Sequence, residues 1–533
     1  MIERVIENWL ASVNERQYQL QFCQMLAAEG ETVIYVSKHG PAELGKDVIT
    51  VDSNGTPKCY QLKRGDIDLK GWRGFEGEIN QLVEIDPHHP SLPADPPRHE
   101  SYFVTSGTIS DPVLNAISHK NATWAKRGYG PLRCLQKHEL VTRFRDAQGK
   151  FFPIDPVDLK SFLELYTSSG QAPLEKEKFA EFIEGLLSTV GGSPSNLDVR
   201  RAAASSVLIA TYALQNQTRE NNHWAVFEGW IVTGGAILCL ATKSKSPKPY
   251  WLYSFELCRE QAQLALNTLS DECQERRGQF VQGSPFSDGY VYRVRMTLLC
   301  GLLAALRLSP GPDKQGDGWK KTVAFIDDFL LANHAKMQLW GEAAVPCFIM
   351  TALGLERRGH HALSERTIVQ LVGTICAVNG KKAPAPGLTN PYWSIERSLR
   401  LYLGLDPQNR EEFLGTSYTL LSLVHMLARR GLKHTLKLLW ADLTTVDCAT
   451  LIFRDSFEWL AWKARTAVLD TRAPNQPEHW NALIEAATSQ ASANLPENLT
   501  AYGSFAAFFL LVYPQRCHPA LVKTIDDWSR SAD

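Results

Sequence analysis

Residues 43–63 of the chain read ELGKDVITVDSNGTPKCYQLK, and this stretch decides the fold of the N-terminal part. The segments VITV at 48–51 and CYQL at 59–62 are rich in β-branched and aromatic residues, which favour strands. The dipeptide Asn54-Gly55 between them is typical of a tight turn. The stretch therefore predicts a β-hairpin.

The length of the hairpin loop decides whether three polar side chains share one face. A two-residue loop pairs Asp47 with Leu62 and places Asp47 on the face opposite Gln61 and Lys63. A three-residue loop at 53–55 (SNG) pairs Asp47 with Gln61 and leaves Lys63 on that same face. Its glycine then takes the left-handed position of a G1 bulge. We predict the bulged hairpin, because only it brings the three side chains together.

These three side chains suit the cleavage of a phosphodiester. The carboxylate of Asp47 can hold Mg²⁺ (or Mn²⁺), and the amide oxygen of Gln61 can add a ligand. The ammonium group of Lys63 can offset the charge that develops on the attacked phosphate. The sequence therefore predicts a metal-dependent site at the open ends of the two strands.

The neighbouring sequence predicts the order helix, three strands, helix, strand. Apolar residues follow a helical period in residues 2–13 and 18–26, and ETVIYVS at 31–37 favours a strand before the hairpin. A helix follows with its apolar face at 72–83, and then a strand at 102–105. A further helix from about Asp111, a short strand near 132–135 and a helix near 139–144 complete the region.

This element order and the Gln-x-Lys motif resemble the restriction-endonuclease-like PD-(D/E)XK nuclease fold, in its Mrr-like branch. In that branch the second acidic position of the motif is often glutamine. The resemblance covers roughly the first third of the chain. It implies an α/β domain with an αβββαβ core, in which Asp47 is the metal-binding aspartate, Gln61 the second motif position and Lys63 the catalytic lysine.

The chain departs from the family pattern at one position. Many relatives place a glutamate in the first helix, where the nearest residue here is Gln19, with Glu15 one turn earlier. Glu43 lies closer to the first strand of the hairpin, and we favour it as the second carboxylate. The expected metal ligands are therefore Asp47, Gln61 and Glu43, with Glu15 and Gln19 as alternatives to Glu43.

Composition gives the whole chain no general affinity for nucleic acid. The chain has 533 residues, of which 21% are charged, and its net charge is −1. Contact with DNA would therefore depend on local basic patches. Two candidate patches are Lys58, Lys63, Arg64, Lys70 and Arg73, and Lys120, Lys126, Arg127 and Arg133.

The cysteine pattern and the apolar segments indicate in which compartment the protein is expected. The eleven cysteines are scattered without a Cys-x-x-Cys pair, which argues against a zinc ribbon or a disulfide framework and favours a cytoplasmic protein. The N-terminus shows no signal peptide. The apolar segment 224–242 contains Glu228 and a Gly-Gly pair, so we expect a buried core helix there and no membrane association.

Beyond residue 168 strand signals become sparse and helical periods dominate. We predict an α/β nuclease domain at 1–168, a linker at 167–173, and a large all-α domain at 169–533 that divides near 309–318 and 379–391. The predicted helical segments are Phe179 to Leu187, Val199 to Leu214, Trp224 to Leu240, Tyr290 to Leu308, Lys321 to Asn333, Ala343 to Leu355, Arg366 to Val378, Ile395 to Leu403, Thr416 to Leu439, Thr450 to Leu469 and Ser504 to Val512.

The resemblance implies a metal-dependent endonuclease acting on double-stranded DNA in preference to RNA. Helical modules attached to such nucleases serve as sensors, target readers or oligomerisation platforms, so by analogy we expect a restriction or anti-phage defence enzyme. The expected partners are DNA and either a second copy of the chain or another defence protein. The alternative is a non-catalytic binding or scaffold protein that retains the nuclease fold, because glutamine replaces an acid at the second motif position.

Overall fold

The computed structural model describes most of the chain in fifteen ranges. These are residues 6–7, 10, 15–37, 44–89, 91–92, 97–147, 164–165, 167–188, 194–276, 289–309, 316–380, 388–405, 415–472, 480–489 and 494–531. The chain divides into two compact units. The first unit comprises residues 1–220 and 243–260, and the second comprises 221–242 and 261–533.

The first unit is an α/β structure in the predicted element order. Its elements up to residue 147 are helix α1 (Glu15–Ala28), strands β1 (Thr32–Val36), β2 (Val48–Val51) and β3 (Pro57–Lys63), helix α2 (Leu69–Glu84), strand β4 (Glu100–Thr105), helix α3 (Asp111–Lys126), strand β5 (Leu132–Leu135) and helix α4 (Lys137–Ala147). Helices α5 (Lys176–Ser188), α6 (Asn196–Ala213) and α7 (Gln215–Arg219) follow in the same unit. The limit of a nuclease domain at residue 168 therefore stays a prediction.

The five strands form one mixed sheet in the order β1-β2-β3-β4-β5. The pairs β1–β2 and β2–β3 are antiparallel, and β3–β4 and β4–β5 are parallel. Val48 pairs with Tyr60 and Val51 with Pro57, which is the register that the three-residue loop requires. Gly55 has a positive φ of 78°. The prediction of the bulged hairpin is confirmed.

Both faces of the sheet are covered by helices, so the central strands are buried on each side. One face packs against α1 and α4 through residues such as Phe22, Tyr60 and Leu140. The other face packs against α2 and α3 through residues such as Trp72 and Phe103. Consecutive residues of β3 therefore alternate between two apolar layers.

The second unit is predominantly helical. Its elements, with α9 beginning in the first unit, are α8 (His223–Ser244), α9 (Leu252–Glu275), α10 (Gly289–Leu308), α11 (Asp317–Asn333), α12 (Val345–Arg357), α13 (His361–Asn379), α14 (Ile395–Tyr402), β6 (Thr416–Ser417), α15 (Leu420–Arg429), α16 (Lys433–Leu443), β7 (Asp447–Ile452), β8 (Val468–Arg472), α17 (Trp480–Thr488), α18 (Glu497–Thr500), α19 (Gly503–Val512) and α20 (Pro519–Ser531).

This region contains a small three-stranded sheet, β6-β7-β8, so it is not helical throughout. The prediction of a helix from Thr450 to Leu469 is wrong, because both ends of that segment pair as antiparallel strands. Between them, the guanidinium of Arg516 donates to the carbonyls of Trp459 (3.0 Å) and Ala461 (2.6 Å). These hydrogen bonds occupy backbone carbonyls that, in a continuous α-helix, would accept from N–H groups of the same helix.

Helix α8 is the apolar segment that the sequence singles out at 224–242. Among the described residues it is the one helix long and apolar enough to cross a membrane, with 78% of its most apolar window buried inside the protein. Glu228 on this helix is buried. Core helices of globular proteins have the same length and composition.

Candidate functional site

Gln61 and Lys63 lie on the sheet face that packs against α2, and Asp47 reaches the backbone of β3 between them. Asp47 lies one position before β2, and its N–H donates to the carbonyl of Tyr60 (2.8 Å). Its carboxylate is buried, and Oδ2 accepts a hydrogen bond from the N–H of Leu62 (2.7 Å). The side chain of Asp47 is therefore built into the sheet.

Gln61 brings an unsatisfied oxygen into the site. Its side chain is 3% exposed, and its Nε2 lies 3.4 Å from Oε2 of Glu78. Its Oε1 is buried and has no hydrogen-bond partner. A buried acceptor without a partner is costly, so this oxygen is suited to receive a ligand.

Lys63 pairs with a carboxylate that the sequence analysis did not select. Its ammonium lies 2.8 Å from Oε2 of Glu78 on α2 and 5.5 Å from the ring centre of Phe75. Glu78 thus contacts both motif side chains of β3. The sequence signal for it was weak, because a glutamate on an exposed helix position is usually a solvated charge.

The loop before Asp47 is docked on α2 close to Glu78. Gly45 has a φ of +72°, and a Cβ at this position would lie 2.1 Å from the backbone oxygen of Glu78. The ammonium of Lys46 donates to the carbonyls of Leu44 (3.1 Å) and Gln81 (3.2 Å). Burial lowers the pKa of Lys46. Together these contacts fix the strand that carries Asp47 against the helix that carries Glu78.

Helix α1 supports the site from the other side of the sheet. The hydroxyl of Tyr18 donates to the carbonyl of Lys63 (2.9 Å), and Nε2 of Gln19 donates to the carbonyl of Asp47 (3.2 Å). Gln19 therefore orients the backbone of the site and supplies no carboxylate. Glu43 and the side chain of Glu15 lie outside the described residues.

Lys58 belongs to the opposite face of the sheet, so the predicted basic patch is wrong at this position. Its ammonium pairs with Oε1 of the buried Glu31 (2.8 Å), whose Oε2 accepts hydrogen bonds from Thr50 (2.5 Å) and Tyr60 (2.8 Å). Although burial opposes it, the Glu31 carboxylate raises the pKa of Lys58. The strand alternation that separates Lys58 from Lys63 was a signal for this placement.

The other predicted basic residues differ in their partners. Lys120 pairs with Glu76 (2.9 Å) and Arg133 with Glu100 (3.0 Å), so much of the second patch is neutralised. Arg64, Lys70 and Arg73 are exposed, and none of them has an ion-pair partner within the described ranges. Arg64, Lys70 and Arg73 therefore add positive charge at the start of α2, where the exposed Asp66 and Asp68 also lie.

The oxygen donors of the site fit a hard divalent cation. Asp47 and Glu78 offer carboxylates, and the unpartnered Oε1 of Gln61 offers a neutral oxygen, which is the donor set that Mg²⁺ prefers. No cluster of three or more histidine, cysteine, aspartate or glutamate side chains with metal-binding geometry occurs among the described residues. The candidate metal ligands are therefore two carboxylates and one amide oxygen, with no third acid, histidine or cysteine among the described residues.

Comparisons with known proteins do not assign the chain to a family. No protein-family model, no curated protein and no solved structure gives a significant match.

Proposed function

We propose that the chain is a Mg²⁺-dependent endonuclease with a restriction-endonuclease-like N-terminal domain. One observation carries the proposal: Glu78 of α2 contacts Gln61 and Lys63, and the carboxylate of Asp47 accepts a hydrogen bond from the N–H of Leu62, which lies between them in β3. An acid, an amide oxygen, a lysine and a second acid can serve metal-dependent phosphodiester hydrolysis.

Each residue has a distinct part in the proposed reaction. Asp47, Gln61 and Glu78 would hold Mg²⁺ or Mn²⁺, which supplies Lewis-acid stabilisation of the scissile phosphate when bound. The ammonium of Lys63 would pair with the phosphate oxygens as negative charge develops on them. Tyr18 and Gln19 position the backbone at Lys63 and Asp47.

The free thiols suggest the compartment of this activity, and the helical second unit suggests how it is controlled. All eleven cysteines are free, and nine of them are buried, which suits a reducing cytoplasm. We propose double-stranded DNA as the substrate. The helical region would control target choice or activation within a restriction or anti-phage system, together with a second copy or a partner protein.

A second candidate is a non-catalytic scaffold or nucleic-acid-binding protein on the same fold. The observation that favours it is the sparse acid content of the site: glutamine stands at the second motif position, and Glu78 is held by Lys63. A site of this kind could retain its shape without holding a metal ion. The two candidates differ in whether the protein cleaves DNA.

The experiment that separates them is cleavage of plasmid, linear DNA and structured RNA by the full chain, with Mg²⁺, Mn²⁺ or EDTA. We expect cleavage with the metals, and Lys63→Ala should reduce its rate by on the order of 10²-fold or more. Asp47→Asn should have a similar effect while keeping an acceptor for the Leu62 N–H. Equal cleavage by wild type and both folded variants, or no cleavage by wild type, would refute the nuclease proposal.

A further inference from the structure

A cavity in the second unit is lined by helix α13 and by the segment that follows α11. Its volume is about 400 Å³, which is within the range of sites that bind small molecules. Residues of α13 between Leu363 and Thr374 form part of the lining, and residues 334–339 and Phe348 of α12 form the rest. All of these residues belong to the second unit, whereas the candidate nuclease site is built from the first.

Helix α13 gives the cavity a buried side and an exposed polar rim. Arg366, Gln370 and Thr374 all line the cavity, and they follow one another at intervals of one helical turn. These three residues are exposed, whereas Thr367 and Leu371, which lie next to them on the same helix face, are buried. The rim of the cavity therefore offers a guanidinium, an amide and a hydroxyl in a row.

The remaining lining is largely apolar and is held in place by hydrogen bonds. Met337, Leu339 and Phe348 contribute apolar side chains. The N–H of Gln338 donates to the hydroxyl oxygen of Thr297 on α10 (2.7 Å), and that oxygen lies 3.1 Å from the carbonyl of Gln338. These contacts fix the segment on α10, so a ligand would meet a preformed site.

Arg366 gives the cavity a positive charge that its lining does not balance. Its guanidinium has no hydrogen-bond or ion-pair partner within the described ranges. None of the described residues that line the cavity is an aspartate or a glutamate. The ring of His334, which also lines it, is held by its own helix end, because Nδ1 donates to the carbonyl of Leu331 (3.0 Å). A guanidinium in a concave site without a counter-ion favours an anion.

We propose that this cavity binds a small organic anion with an apolar body. The carboxylate or phosphate group of the ligand pairs with Arg366, beside the amide of Gln370. Its body lies against Leu371, Met337 and Phe348, where apolar surface is removed from water. Carboxylate and phosphate groups both present paired oxygens to the fork of a guanidinium, so the lining fits either. The site goes beyond the proposed endonuclease and does not rest on it.

The test uses two fluorescent probes that differ by one charged group. Anilinonaphthalene sulfonate (ANS) has an aromatic body and an anionic group, and N-phenyl-naphthylamine is the same body without the sulfonate. We expect the full chain to bind ANS saturably and the neutral probe roughly tenfold more weakly, because only the sulfonate pairs with Arg366. Fluorescence titration measures both affinities.

Two substitutions on the exposed rim change the charge and leave the apolar lining intact. Arg366→Gln removes the cation, and Gln370→Glu adds an acid one turn along the helix, where it can pair with Arg366. Each should weaken ANS binding by roughly tenfold and leave binding of the neutral probe unchanged. Thermal melting confirms that each variant is folded.

The matched control is Arg400→Gln on α14. Arg400 is also exposed and has no ion-pair partner in the described part of the chain, and it does not line the cavity. This variant loses the same charge in the same unit, so it should bind ANS as wild type does.

Displacement of ANS identifies the anionic group. Phenylacetate or phenyl phosphate at millimolar concentration should displace ANS, and the better of the two assigns a carboxylate or a phosphate ester. Phenylethanol, which is neutral, should not displace it. Unchanged ANS affinity in Arg366→Gln and Gln370→Glu would overturn the proposal, as would no saturable ANS binding, no displacement by either anion, or equal displacement by phenylethanol. Each arm omits DNA and metal ions, so its outcome is independent of the cleavage assay.

Discussion

At the scale of single residues, Glu78 does two things for the candidate site. Its carboxylate pairs with the Lys63 ammonium at 2.8 Å and lies 3.4 Å from the Gln61 amide nitrogen. In the proposed site it would supply the acid that glutamine at position 61 does not. It also holds Lys63 in place. Without this carboxylate, the half-buried ammonium would lie beside an apolar ring without Glu78 to pair with.

Replacing the neutral motif residue tests whether these groups share a cation. Gln61→Glu would place two carboxylates within hydrogen-bond reach, and their repulsion should destabilise the metal-free protein by on the order of 1–2 kcal/mol. Because a cation would neutralise both, Mg²⁺ should raise the thermal midpoint more in the variant than in wild type. Thermal melting with Mg²⁺ and with EDTA measures this difference.

The control for this variant is Gln81→Glu, which adds the same charge at an exposed position of α2. Its midpoint should respond to Mg²⁺ as the wild type does. Identical Mg²⁺ responses of Gln61→Glu, Gln81→Glu and wild type would show that no cation site lies at residue 61.

The register of the hairpin could be predicted from the sequence, whereas the contacts of Glu78 with Gln61 and Lys63 could not. The pairing of β2 with β3 is local, and loop length and Gly55 determine it. Glu78 reaches the site through the packing of α2 on the sheet, which depends on long-range contacts such as the approach of Gly45 to its backbone. Local periodicity contains no information on that approach.

At the scale of elements, a buried carboxylate connects several segments of the second unit. Glu342, just before α12, accepts hydrogen bonds from the N–H of Tyr418 (2.7 Å) and the hydroxyl of Thr419 (3.1 Å) at the start of α15. Asn379, at the end of α13, lies 3.4 Å from its other oxygen. Burial raises the pKa of Glu342 to about 7, although these hydrogen bonds oppose the shift.

This raised pKa predicts how stability changes with pH. The folded state binds a proton at Glu342 up to about pH 7, whereas the unfolded chain releases it near the ordinary value of 4.5. The free energy of unfolding should therefore fall as pH rises between these values, by up to about 1.4 kcal/mol per pH unit. Thermal melting of wild type and Glu342→Gln across this range measures the effect.

The variant isolates the contribution of this one group. Because glutamine does not titrate, the difference in stability between wild type and Glu342→Gln should change with pH over that window and level off above about pH 7. A constant difference would show that Glu342 keeps the same proton affinity in the folded and unfolded chain.

At the scale of the whole molecule, each proposed site cuts one strand. A double-strand break made from a fixed complex needs two sites that face opposite strands, and two-fold symmetry is the commonest way to provide them. With a net charge of −1 the chain has no overall field to hold DNA. A second copy would also double the number of phosphate contacts.

We therefore predict that the protein assembles, alone or with a partner, when it makes double-strand breaks. Native mass spectrometry and light scattering across concentration, with and without DNA, should detect dimers, and the cleavage rate should rise more steeply than first order in enzyme. Efficient double-strand cleavage by a strict monomer at first order would contradict the prediction.

The general organisation of the molecule could be read from the sequence, but two features could not. The apolar periods matched most of the helices, and the loss of strand signals located the helical region. The strands β7 and β8 were missed because their pairing joins residues such as Leu451 and Leu469, which are distant along the chain. The division into two units was likewise not visible, since it follows three-dimensional contacts.

The most direct test of the central claim compares two neighbouring glutamates of α2. Glu78 contacts Gln61 and Lys63, whereas Glu76 pairs with Lys120 (2.9 Å). In a plasmid cleavage assay with Mg²⁺, Glu78→Gln should lower the rate by on the order of 10²-fold or more, because it removes a charged metal ligand. Glu76→Gln should cleave as wild type does. Equal rates for the two folded variants would contradict a catalytic site built from Asp47, Gln61, Lys63 and Glu78.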